Sequence, residues 1–145
     1  MIAHTQTIFG NGDAGATPGN CMQAALASLL DLPLDQVPHF ALFHDWYKAM
    51  KLWLDGRGKL LRIFTDSQEV REYWEYVGVP AFPLNLAPNS QILIATGQSH
   101  NGPWLHVAIW KAGELVHDTH PNRTGLKGSP TEYWQITETN GASDV

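Results

Sequence analysis

Leu105-His106-Val107-Ala108-Ile109-Trp110-Lys111-Ala112-Gly113-Glu114-Leu115-Val116-His117-Asp118 is the stretch on which the reading of this chain turns. Two runs rich in β-branched and apolar residues flank Lys111-Ala112-Gly113, the pattern of a β-hairpin. If those three residues form the loop, with Gly113 left-handed, Trp110 falls opposite Glu114, Ala108 opposite Val116, and His106 opposite Asp118. Directly opposed residues share a face with Cβ atoms about 4.5–5.5 Å apart, close enough for a carboxylate to orient an imidazole. The same register gathers Val107, Ile109 and Leu115 on the other face, the clustering a half-buried sheet needs. A two-residue Ala112-Gly113 turn would instead set Val107 against Asp118 and put His106 and the carboxylate on different faces.

Around the hairpin the second half of the chain reads as sheet. Residues 91–96 and 104–110 form strands, 114–119 the return strand, and 133–137 a candidate fourth. The first half reads as helices. Residues 21–30, an Ala, Leu, Met and Gln run with no charge, form a largely buried helix, and Asn20 is suited to cap it. Residues 34–37 make a short helical turn, and 39–54 a second helix from the near-helical spacing of Phe40, Phe43, Tyr47, Met50, Trp53 and Leu54, with Gly56 as its stop. A strand over 59–64 and a helix over 67–77 follow. Helices first and a largely antiparallel sheet afterwards is an α+β arrangement.

The length of 145 residues suits one domain spanning 1–145, with a Gly-rich N-terminal loop over 1–20 and a frayed polar tail over 138–145. A net charge of −5 with only nine scattered Lys and Arg argues against a phosphate-binding surface, so no nucleic-acid partner is expected. The start, Met1-Ile2-Ala3-His4-Thr5-Gln6, lacks a basic segment followed by an apolar core, and no run reaches spanning length. A cytoplasmic protein without a membrane partner is the expectation. Six Trp imply a well-filled core or a groove lined with rings.

Cys21 is the only cysteine, which excludes an internal disulfide and a Cys-rich zinc site. It falls in the first turn of the helix after a Gly-Asn cap, where unpaired backbone N–H groups and the helix dipole favour a thiolate. The same N–H groups can stabilise the oxyanion formed when a carbonyl is attacked. With His106 beside Asp118, the three make a nucleophile, a base and an orienter. His117, Asp118 and His120 could also be drawn as metal ligands, but neighbours along a strand point to opposite sides and would converge only at a bend.

Three pieces, Gly19-Asn20-Cys21-Met22-Gln23-Ala24-Ala25, Leu105-His106-Val107-Ala108-Ile109-Trp110 and Val116-His117-Asp118-Thr119-His120-Pro121, resemble the papain-like cysteine peptidase superfamily. Within it they are similar to the compact peptidase C39-like and related phage or bacterial proteins. The resemblance implies a papain-like fold, N-terminal helices on a C-terminal antiparallel sheet, and no cofactor or metal. It implies Cys21 as nucleophile, His106 as general base and acid, and Asp118 as orienter. Such families often place an oxyanion-hole Gln a few residues before the Cys, whereas Gln6 lies fifteen residues upstream; Asn20 and the Cys21 backbone N–H are the substitutes. Trp104 before the His strand is expected to wall a specificity pocket. Ser99, in Gly97-Gln98-Ser99, and His120 are expected at the cleft, with Asn122-Arg123-Thr124-Gly125-Leu126 on its rim.

The chemistry implied is hydrolysis of an amide or peptide bond, including an isopeptide bond, in a protein or peptide substrate through a thioester. Two rivals stand beside it. The same triad serves transglutaminases and acyltransferases, in which an amine replaces water. A binding or inhibitor protein on the same scaffold, such as a phage factor acting on a host partner, would use the Trp residues as anchors.

Overall fold

An uncharged helix of Ala, Leu, Met and Gln must bury its sides against something, and in the computed structural model it packs on the strand that carries His106. The structure describes residues 1–9, 19–88, 90–100 and 104–139. Three helices, α1 (Cys21–Leu30), α2 (Trp46–Gly56) and α3 (Gln68–Tyr76), accompany six strands in an α+β architecture. The strands are β1 (Lys59–Thr65), β2 (Ala81–Phe82), β3 (Leu93–Ser99), β4 (Leu105–Lys111), β5 (Glu114–Asp118) and β6 (Leu126–Glu138), ordered β2-β1-β6-β3-β4-β5. No helix among the described residues is long and apolar enough to cross a membrane.

The core follows from the pairing. Ile63 lies opposite Trp134, Trp134 opposite Ile94, and Ile94 opposite Ile109, so one apolar row crosses β1, β6, β3 and β4. Ala25 and Leu26 of α1, Met50 and Leu54 of α2 and Trp74 of α3 are fully buried and join it in one cluster. Each large apolar side chain buried this way contributes about 1.5–3 kcal/mol.

Several expectations are corrected. The sheet is mixed, because α3 carries the chain from β1 to a short parallel neighbour, β2. The second helix starts later than the spacing suggests: Phe40–Leu42 is a separate 3-10 turn, and the Asp45 carboxylate caps α2 by accepting the Lys48 N–H at 3.3 Å. The final strand is long and lies between β1 and β3, reaching Glu138, so only 140–145 of the expected tail lie outside the described residues. The ladder skips across Gly128 (φ +84°) and Pro130: Thr96 pairs with Glu132, then Gln98 with Lys127. Residues 10–18 of the expected Gly-rich loop also lie outside the described residues.

The hairpin differs most informatively. Its turn is the shorter one, Ala112-Gly113, both at positive φ (+55° and +78°), with Lys111 opposite Glu114 and Trp110 opposite Leu115. The pairings Trp110–Glu114, Ala108–Val116 and His106–Asp118 are therefore not formed. A bulge follows at once: Ile109 pairs with His117 and Ala108 with Asp118, leaving Val116 as the extra residue. Val116 moves the rest of β5 by one position, which returns Asp118 to the side of the strand that carries Ala108 and His106. Val107 and Ile109 are buried as expected, but Leu115 lies outside the bulge and is exposed.

Candidate active site

Cys21 is the first residue of α1, so its N–H has no acceptor within the helix. Asn20 occupies the cap position but its side chain accepts no backbone N–H of the helix, correcting the expected cap. Its Oδ1 accepts the N–H groups of Thr7 and Ile8, each at 2.9 Å. Its Nδ2 donates to Thr7 Oγ1 and Gln23 Oε1, each at 3.1 Å. With two bonds accepted and two donated the amide is saturated, so Asn20 has no N–H for an oxyanion. It clamps the N-terminal segment to the start of the helix instead.

That clamp is one of several. The His4 N–H donates to Ser28 Oγ at 2.8 Å, and the Gln6 N–H to the Thr119 carbonyl at 2.8 Å. His117 Nε2 meets the His4 carbonyl at 2.7 Å. Residues 4–8 thus run between α1 and the end of β5, which closes the fifteen-residue gap in sequence and brings Gln6 to the cleft beside Cys21. Gln6 is 6% exposed; its Nε2 donates one N–H to the Ile8 carbonyl at 2.9 Å and has a second to give.

His106, on β4, is hydrogen-bonded to Asp118, and the Cys21 thiol lies close enough to act on its imidazole. Its Nε2 lies 2.6 Å from Asp118 Oδ1, which leaves Nδ1 for the thiol. Burial is the largest single influence on the imidazole and pushes its pKa down. The bonds and charges of Asp118 and Cys21 together outweigh it and hold the pKa up at about 9, against an ordinary 6.5. Asp118 shows the complementary result. Burial pushes its pKa up most strongly, yet the bonds from His106 and from the His120 and Gly125 N–H groups hold it below the ordinary carboxylate value. The two backbone bonds measure 3.0 Å to Oδ1 and 2.8 Å to Oδ2.

The carboxylate is buttressed by residues that the sequence reading left on the rim. Gly125, at φ +74°, turns its N–H to Asp118. The Arg123 guanidinium donates to the Asp118 carbonyl, to the His120 carbonyl at 3.2 Å and to Thr5 Oγ1 at 2.6 Å. A glycine after a turn, seven residues past a carboxylate, was the available signal for this support.

Cys21 and His106 open into a cleft of about 430 Å³. Gln6, Ser99, Trp104 and His120 line it, so each expected substrate contact reaches the cleft; Asn20 is not among its lining residues. Gly97-Gln98-Ser99 closes β3, with Gly97 opposite His106. A Cβ on Gly97 would stand 3.1 Å from Leu126 Cδ1, so any side chain there would have to displace the Leu126 side chain by a few tenths of an ångström. His117 and His120 do not converge on Asp118 as a ligand set: one faces the His4 carbonyl, and the other packs its ring edge-on to Phe9 at 5.3 Å. No group of three or more His, Cys, Asp and Glu side chains able to hold a metal ion occurs among the described residues.

The far wall of the cleft carries Trp46, Tyr47, Glu132 and Trp134, none of which was singled out as a site residue. The pattern Thr131-Glu132-Tyr133-Trp134 held the available signal, a carboxylate two residues from a core Trp and therefore on the same side of its strand. Comparison of the chain with protein-family models, curated proteins and solved structures finds no match.

Proposed function

We propose that the chain is a cysteine-dependent hydrolase of papain-like type that cleaves an amide or peptide bond through a thioester. The observation that carries the proposal is His106, held between the Cys21 thiol and the Asp118 carboxylate at the mouth of a cleft. Three residue types that rarely meet without a role converge although they are 85 and 97 residues apart from Cys21 in sequence.

Cys21 Sγ, its proton already handed to His106, forms a bond to the carbonyl carbon as the C=O electron pair moves onto oxygen. The Cys21 N–H and the second Gln6 Nε2 hydrogen are the donors for that oxyanion. As the intermediate collapses, the C–N bond breaks and His106 delivers its proton to the leaving amine. Water, deprotonated by His106, then attacks the thioester and releases a carboxylic acid and the thiol. Asp118 holds the imidazole in one orientation through both halves.

Alkylation by iodoacetamide across pH, in the wild type and in His106→Ala, tests the reading. The folded wild type is expected to react faster than His106→Ala, with a pH profile that the variant lacks. A Cys21 that reacts only after unfolding, or at a rate indifferent to His106, would overturn it.

A further inference from the structure

Glu132 lies in the middle of β6, opposite Thr65 on one side and Thr96 on the other. Its side chain forms part of the wall of the cleft that holds Cys21 and also of a neighbouring cleft that includes Asp66, so the carboxylate stands where the two meet. Aromatic rings surround the position. Trp46 stacks on Tyr47 with centroids 4.0 Å apart, and Trp46 lies 5.9 Å from both Trp74 and Trp134. Tyr47 meets Trp74 at 4.2 Å.

Its hydrogen-bond partner among the described residues is neutral: Trp134 Nε1 donates to Glu132 Oε2 at 2.7 Å. Among the described residues no cationic side chain forms an ion pair with Glu132. A half-enclosed carboxylate without a cation is costly, and burial holds its pKa above the ordinary value despite the Trp134 and Trp74 indoles. A cation arriving from outside would remove that cost, and ring faces beside the carboxylate add attraction for it.

We propose that the Glu132 end of the cleft, walled by Trp46, Tyr47 and Trp134, is a subsite for a cationic side chain, an ammonium or guanidinium, of the substrate that Cys21 attacks. The proposal rests on the hydrolase reading for its substrate and names the class: peptides or proteins with Lys or Arg near the scissile bond. The ring walls accept the alkyl stem and the carboxylate takes the charge.

Binding is measured first without chemistry, in Cys21→Ala, by tryptophan fluorescence with n-butylammonium or n-butylguanidinium and with n-butanol as the neutral analogue. A saturable change with the cations, weak with the alcohol and lost in Glu132→Gln, supports the subsite; equal response to the alcohol, or full retention in Glu132→Gln, overturns it. Glutamine keeps an acceptor for the Trp134 indole, and should the variant not fold, the comparison of cation with alcohol decides alone. The intact protein is then alkylated with peptidyl chloromethyl ketones that differ only in lysyl or norleucyl at the position next to the warhead and at the one before it. A lysyl preference of about 30-fold or more at one position, abolished by Glu132→Gln, is expected for a buried charge pair. Alkylation that depends on His106 but shows no lysyl preference at either position overturns the subsite while leaving the hydrolase standing.

Discussion

Asp118 and Glu132 are two carboxylates in one sheet, and burial acts in the same direction on both, yet their ionisation is moved in opposite senses. Asp118 receives an imidazole N–H and two backbone N–H groups, and these overcome the cost of desolvation. Glu132 accepts one neutral indole N–H, that of Trp134, and desolvation wins. The number and charge of the donors, rather than depth, set the sign. One carboxylate is therefore committed to holding His106, and the other is left to meet a charge from outside the chain.

The comparison breaks most completely if Asp118 is dispensable. Asp118→Ala leaves a buried imidazole without its orienter, and we expect the alkylation rate of Cys21 to fall about a thousandfold. Stability should drop by about 3–5 kcal/mol, as when one partner of a buried pair is removed, measured by denaturant unfolding. The His106 resonance should titrate well below its wild-type value of about 9. A variant that keeps both rate and titration would show that Asp118 only closes a turn.

A pH series sharpens the same point. The folded state holds the His106 proton up to about 9, whereas the unfolded chain releases it near 6.5. The stabilisation is thus complete below 6.5 and is lost as pH rises through 9. Denaturant titrations should record a loss on the order of 1–3 kcal/mol across that window. The loss should be absent in His106→Ala. Asp118 acts at the other end: its contribution is present above its ordinary value of 3.8 and is lost as pH falls through its lowered one.

Arg123 tests whether Asp118 owes its position to its neighbours. Arg123→Ala removes the bridge from Thr5 to the Asp118 and His120 carbonyls, and we expect about a tenfold slower alkylation of Cys21 together with a lowered His106 pKa. Arg123→Lys should not restore either, because one ammonium cannot reproduce a planar fork that reaches three oxygens. An unchanged His106 titration would assign Arg123 to the surface loop alone.

The sequence made the helix of Cys21 legible because its run of uncharged residues begins and ends abruptly, and the strands of the hairpin legible because two short runs rich in β-branched and apolar residues flank a turn that contains Gly113. It identified the His106–Asp118 contact for a reason that does not hold. The expected register needed a three-residue loop; the chain uses a tighter turn and repairs the parity with a bulge at Val116. Bulges leave no local mark when the extra residue is an ordinary exposed valine. The saturation of Asn20 by Thr7 and Ile8, and the cage around Glu132 built from α2, α3 and β6, are tertiary in origin. Spacing within one element shows only the Glu132–Trp134 side of that cage.

The smallest effect falls on Glu132. A carboxyl whose folded-state pKa is raised keeps its proton where the unfolded chain, near 4.5, has lost it. Its contribution is therefore greatest below 4.5 and is lost as pH rises through the raised value, leaving an uncompensated charge at neutral pH. Glu132→Gln should match the wild type at low pH and exceed it by about 1 kcal/mol at neutral pH, in parallel denaturant titrations. A loss of stability at neutral pH would mean that the carboxylate already has a favourable charged partner. The contrast with Asp118 would then collapse, and with it the reason for expecting a cation from the substrate.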